Sequence, residues 1–159
     1  MSRIFGGLPD HVAYVPVDFE NDNLMNRLIG AGYKNDARTL FTWEAVSKYL
    51  TSGAVKDLLS AVSANSGKGS AIVFDYLFQS MVDGRSEGAL AQKILAFQAK
   101  KGEPFIFGLP EKNPEQFVTV GGFSSVKNFS AERIKRMYVN RMSRAKDFHP
   151  FWGIIHATI

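Results

Sequence analysis

Apolar runs of strand length alternate with helical segments along this chain. His11–Phe19, Thr39–Trp43, Ser70–Phe78, Pro104–Gly108 and Phe151–Ile159 are rich in Val, Ile and Phe. Such runs, bounded by turn residues, read as buried strands. Between them lie segments with apolar residues at helical spacing. Leu24, Leu28 and Ile29 share one face. Leu58, Leu59 and Val62 share a second, and Leu90, Ile94, Leu95 and Phe97 a third. Strands alternating with helices predict an α/β fold, with parallel βαβ units and helices on both faces of one sheet. The 159 residues suffice for one domain with a core.

Local signals place the element ends. Asn21 and Asp22 are candidate caps for the helix over Leu24–Ala31, and Gly30 and Gly32 stop it. Thr51 or Ser52 caps the next helix, and Ser130 caps a basic helix from Ala131 to about Met142. Pro114 fits the first turn of a short helix that ends at Gly121-Gly122.

Two of the apolar runs end in a carboxylate, Asp18 in the first and Glu44 just after the second. Ligands of open α/β sheets bind in the crevice at the carboxyl ends of the strands. Two acids at two strand ends therefore predict one crevice. Simpler roles stand beside that reading. Asp18 can cap a turn, and Glu44 can cap or form an ion pair at a helix start. Asp75, inside the third run, is a secondary pocket candidate. Arg27 and Lys48 read as solvated helix residues, and Trp43 and Trp152 as core.

The remaining chemistry is mostly excluded. The chain has no Cys, so it forms no disulfide and carries no thiol catalyst. His11, His149 and His156 lack metal-ligand spacing, so no metal site is expected. There is no phosphate loop, since Ser66-Gly-Lys-Gly69 is too short for one, and no Gly-x-Ser-x-Gly elbow. No apolar stretch approaches the ~20 residues of a membrane span, and the N-terminus lacks a signal-peptide core. The expected location is cytoplasmic. The net charge is +4, and six Lys/Arg fall between Arg133 and Lys146. A solvated helix face is the simpler reading of that segment, and nucleic-acid binding is not expected.

Several words in order carry a resemblance. They are Tyr14-Val-Pro-Val-Asp-Phe-Glu20, Ala31-Gly-Tyr33, Thr39-Leu-Phe-Thr-Trp-Glu-Ala-Val-Ser-Lys-Tyr-Leu-Thr51 and Ile72-Val-Phe-Asp-Tyr76. Gly102-Glu-Pro-Phe-Ile-Phe-Gly108 and the closing Phe151-Trp-Gly-Ile-Ile-His-Ala157 follow. The chain resembles the leucine carboxyl methyltransferase family of class I enzymes, which use S-adenosylmethionine (SAM). The resemblance implies a Rossmann-like class I fold, here about five strands, mostly parallel with an antiparallel C-terminal strand. It implies SAM as cofactor. It also implies methyl transfer to an oxygen, a carboxylate or hydroxyl of a small molecule.

The resemblance implies site residues as well. Asp18 and Phe19 match the family position that contacts adenine. Glu44 matches the position near the methionine end of SAM, and Tyr49 follows at family spacing. A carboxylate at Glu44 can accept from an α-amino group and favour a sulfonium cation. Ala45 stands where the family commonly has Gly. The family's Gly-x-Gly-x-Asp-Thr-Arg loop and its ribose-binding acid have no counterpart here. The resemblance therefore implies the C-terminal portion of the fold, a single incomplete domain over residues 1–159. No catalytic residue is identified. The rival expectation is a non-catalytic remnant without SAM turnover, or a fragment that forms a homo-oligomer through an exposed sheet edge.

Overall fold

The computed structural model describes residues 9–138 and 149–159. A four-stranded sheet organises them. Its strands are β1 (Leu40–Trp43), β2 (Ala71–Leu77), β3 (Ser125–Ser130) and β4 (Trp152–Thr158), in the order β1-β2-β4-β3. β1 and β2 are parallel, with Leu40 opposite Ala71 and Trp43 opposite Phe74. β4 runs antiparallel between β2 and β3. The mixed α/β sheet with an antiparallel last strand is the expected fold class.

Seven helices connect and flank the strands among the described residues. They are α1 (Leu24–Gly30), α2 (Ser52–Ala64), α3 (Gln79–Val82), α4 (Ala89–Lys100), α5 (Pro114–Thr119), α6 (Ala131–Tyr138) and a 3₁₀ turn at Ser47–Tyr49. The caps follow from side-chain chemistry. Asn23, rather than Asn21 or Asp22, accepts from the Asn26 N–H at 2.9 Å. Thr51 Oγ1 accepts from the Ala54 N–H, and Ser130 Oγ from the Arg133 N–H. Each such bond satisfies a donor that a helix start leaves open. The expected continuation of α6 toward Met142 lies outside the described residues.

The period-two pattern of β2 and β4 builds the core. Ile72, Phe74 and Tyr76 of β2 and Ile155 and Ala157 of β4 face one side of the sheet and are buried. Val55, Leu58, Leu59 and Val62 of α2 and Val118 of α5 cover them. Burying each large apolar side chain contributes about 1.5–3 kcal/mol before chain entropy is counted. A smaller cluster joins Leu77, Met81 and Ala91, with Trp152 packed against it, at the opposite face. Helices therefore lie on both faces.

Two expected strands do not form. His11–Phe19 is irregular, with Val12 39% exposed and only Val15, Val17 and Phe19 half-buried. Its pattern suits a strand, but a strand needs a ladder, and no neighbour supplies one among the described residues. Pro104–Gly108 is also irregular. Its Ile106 N–H donates instead to the Lys48 carbonyl at 2.9 Å. One strand, β3, was not expected. Its sequence, Ser125-Val-Lys-Asn-Phe-Ser130, holds no apolar run, and six register pairs with β4 define it.

Candidate active site

The carboxyl ends of β1 and β2 lie side by side and open a crevice of about 460 Å³. Thr42, Glu44 and Ala45 line it from β1 and the following turn, Val73 and Asp75 from β2, and Ile154 from β4. The turn after β1 is fastened to β2 at two points. Asp75 Oδ1 accepts from the Ala45 backbone N–H at 2.5 Å. Buried Ser47 donates its hydroxyl to the Asp75 carbonyl at 2.9 Å. Asp75 Oδ2 faces Lys48 Nζ at 3.9 Å. That cation also lies 5.7 Å from the Tyr49 ring and 5.5 Å from the Phe105 ring, within cation–π range of each.

This fastening explains an unusual backbone. Ala45 has φ 58°, in the left-handed region that favours glycine. The conformation costs about 1–2 kcal/mol for a residue with a Cβ. The bond to the Asp75 carboxylate and the Ser47 anchor offset that cost.

The expected site residues divide among three places. Glu44 lies in the crevice, exposed, with no hydrogen-bond or ion-pair partner among the described residues. Phe19 reaches the same strand end from the other side, its ring 6.4 Å from that of Trp43. The Trp43 indole N–H is buried there without an acceptor among the described residues. Such an orphan costs about 1–3 kcal/mol and suits a ligand acceptor.

Asp18 is engaged within its own turn. Its Oδ1 accepts from the Glu20 N–H at 3.0 Å and its Oδ2 from Asn21 Nδ2 at 2.9 Å. The Asn21 amide and the Glu20 N–H hold its carboxyl below the usual carboxylate range. Glu20 in turn accepts from the Thr51 N–H and hydroxyl at 2.8 and 2.9 Å, tying this turn to the start of α2. Phe19 and Glu20 line a separate 620 Å³ hollow with Asp22, Thr51 and Asp57. Tyr49 lines a third hollow with Glu103, Pro104 and Ile106, and its hydroxyl accepts from Gln98 Nε2 at 2.7 Å. The geometry thus gathers Glu44, Asp75 and Trp43, with Phe19 beside them. Asp18 and Tyr49 stand apart.

At this strand end the free Glu44 carboxylate fits the ammonium group of S-adenosylmethionine, and the unpaired buried Trp43 N–H fits an acceptor such as its carboxylate. Each oxygen of the exposed Asp18 carboxylate accepts one bond within the turn and keeps a second lone pair. Among the described residues no group of acids and histidines could hold a metal ion, and no helix is long and apolar enough to cross a membrane.

Sequence comparisons find a family model that matches the first part of the chain and a relative similar over most of it. Residues 1–63 match the model for "Leucine carboxyl methyltransferase". A Bacillus subtilis (strain 168) protein, YktD, carried as a candidate S-adenosyl-L-methionine-dependent methyltransferase, is 26% identical over 149 residues. The match covers 94% of this chain and 48% of that one, so the chain spans about half the length of this relative. Human N-acetylserotonin methyltransferase, solved in complex with SAM, is similar in structure. Its TM-score is 0.52 at 12% identity, over 96% of this chain and 35% of that one. That likeness supports the class I methyltransferase fold.

Proposed function

We propose, from the leucine carboxyl methyltransferase kinship of residues 1–63, that this chain carries the methionine-end half of a SAM site. The parent reaction is methyl transfer to the carboxylate or hydroxyl oxygen of a small molecule. SAM, when bound, supplies an activated methyl on a sulfonium. The chain's own residues bind and orient. The Glu44 carboxylate accepts from the α-ammonium group and lowers the energy of a nearby positive charge. The Ala45–Asp75 bond fixes the turn so that Glu44 holds its place without reorganisation on binding. Lys48 and Asp75 offset one another at the crevice wall.

The observation that carries this reading is the unpartnered Glu44 carboxylate at the carboxyl end of β1. Amide chemical shifts recorded as SAM is added test it. Movement concentrated at Glu44, Ala45 and Asp75 is expected. No movement there, with shifts confined to Gly102–Ile106 or absent, would sink it.

The second reading is a protein without turnover. Both Asp18 oxygens already accept a bond within the turn they cap, which leaves one lone pair on each for an adenine amino group. Under that reading SAM binds without methyl transfer to any carboxylate or hydroxyl acceptor.

A further inference from the structure

The 3₁₀ turn Ser47–Tyr49 stands between two hollows. Asp75 lines the Glu44 crevice. Tyr49 lines the other, of about 530 Å³, with Gly102, Glu103, Pro104 and Ile106. Lys48 reaches toward both, its Nζ 3.9 Å from Asp75 Oδ2 and 5.7 Å from the Tyr49 ring. Its side chain is only 17% exposed, so Lys48 is not the solvated helix residue that its place in the sequence suggests.

The Lys48 ammonium has donors to spare. It carries three N–H groups, and 3.9 Å to Asp75 exceeds hydrogen-bond length. Among the described residues none of the three finds an acceptor. The Tyr49 and Phe105 rings attract the charge through their faces and leave those N–H groups unbonded. Asp75 is also committed elsewhere, its Oδ1 to the Ala45 N–H. A half-buried cation with open donors favours an incoming anion.

The hollow beside it is held in shape. The Ile106 N–H donates to the Lys48 carbonyl at 2.9 Å, and Gln98 Nε2 donates to the Tyr49 hydroxyl at 2.7 Å. The Tyr49 ring, Pro104 and Ile106 make the lining largely apolar. Its volume and lining suit a small molecule with an apolar body. Glu103 lines the hollow too, and its carboxylate repels a second negative charge.

On the reading that the Glu44 crevice takes the methionine end of SAM, we propose that Lys48 anchors an anionic group of the methyl acceptor, whose apolar body fills the Tyr49 hollow. The acceptor class is then an apolar monoanion. Lys48 selects its charge, and Tyr49, Pro104 and Ile106 select its apolar body.

Amide shifts recorded as benzoate is added test this, with benzyl alcohol as the neutral counterpart and terephthalate as the dianion. No SAM is present, so the outcome is independent of whether Glu44 binds SAM. Movement at Lys48, Tyr49 and Ile106 is expected, with benzoate bound at least ~10-fold tighter than the alcohol. Terephthalate is expected to bind more weakly than benzoate. Lys48→Met is expected to abolish the preference for the acid and Lys48→Arg to retain it, with α2 amides unshifted in both. Neither substitution removes the backbone carbonyl that holds Ile106. Absence of binding, equal binding of acid and alcohol, or a preference that survives Lys48→Met would overturn the assignment.

Discussion

Ala45 and Asp75 are joined across the two parallel strands, the backbone N–H of one meeting the carboxylate of the other at 2.5 Å. The bond fixes a left-handed residue, φ 58°, at the point where the chain leaves β1. Everything proposed for Glu44 depends on this joint, because Glu44 is the residue immediately before it. Removing the acceptor leaves the N–H unpaired and the strained turn unsupported. Asp75→Ala is expected to lower stability by about 1.5–3 kcal/mol, the range for bonds to charged groups. Urea denaturation of the variant checks it, and an unchanged midpoint would contradict it.

The same joint predicts the effect of glycine. Ala45→Gly removes the Cβ that makes φ 58° unfavourable and is expected to stabilise the fold by up to about 1 kcal/mol. The gain is limited because glycine also widens the unfolded ensemble. A lower melting temperature for the glycine variant would show that the turn is held for another reason.

Tyr76 gives a pH prediction at the alkaline end. Its hydroxyl is held within the core and donates to Asn128 Oδ1 at 2.9 Å. Burial pushes its pKa from 10.0 up to about 12. The unfolded chain therefore releases this proton before the folded one does, so stability falls as pH rises from about 10 toward 12. Below pH 10 the contribution is complete. Tyr76→Phe removes this source of the slope and loses about 1 kcal/mol from the bond at neutral pH. Denaturation midpoints at pH 9 and 11 for both proteins measure it. An equal fall in the two would contradict the assignment.

Tyr76 also dictates a glycine on β4. A Cβ on residue 153 would stand 2.6 Å from the Tyr76 oxygen and 2.8 Å from the nearest carbon of its ring. Gly153→Ala must displace a buried aromatic and is expected to cost about 1–3 kcal/mol. Combining it with Tyr76→Phe relieves only the oxygen contact. The double variant should therefore recover part of the loss, and full additivity would be the contrary result.

The acidic end follows from the turn before α1. Arg27 and then the Asp18 N–H hold the Asp22 carboxyl below its ordinary 3.8, and Asn21 and the Glu20 N–H do the same for Asp18. Depressed carboxyls stabilise the turn above that value, and the contribution is lost as pH falls through and below 3.8. Proton titration of the Glu20 and Asp18 amide shifts should report midpoints below 3.8. Midpoints at or above it would be the contrary finding.

Sequence patterns reached the elements that carry their own signal. β2 and β4 bury alternate apolar residues, so period and burial agree, and Thr51 announces α2. They failed where partners decide. The run His11–Phe19 has strand composition, yet a ladder is a property of two segments and none is present beside it. β3 has no apolar pattern, and β4 alone makes it a strand. Pro104–Gly108 gives its Ile106 N–H to Lys48 and so leaves strand geometry. At the site, Glu44 was legible from its place after an apolar run. The Ala45–Asp75 bond was not, because it depends on the register that sets Trp43 opposite Phe74. Nor does spacing alone reveal that Tyr49 turns toward Gln98, away from the Glu44 crevice.

The central claim is that the Glu44 carboxylate meets the cationic end of SAM, and calorimetric titration with SAM tests it most directly. Saturable binding is expected, with a dissociation constant of about 1 mM or tighter, equivalent to about 4 kcal/mol. Glu44→Gln is expected to weaken it at least ~10-fold through the loss of one charge-assisted contact, and Tyr49→Phe to change it little. Absence of binding, or equal affinity in the wild-type chain and Glu44→Gln, would contradict it.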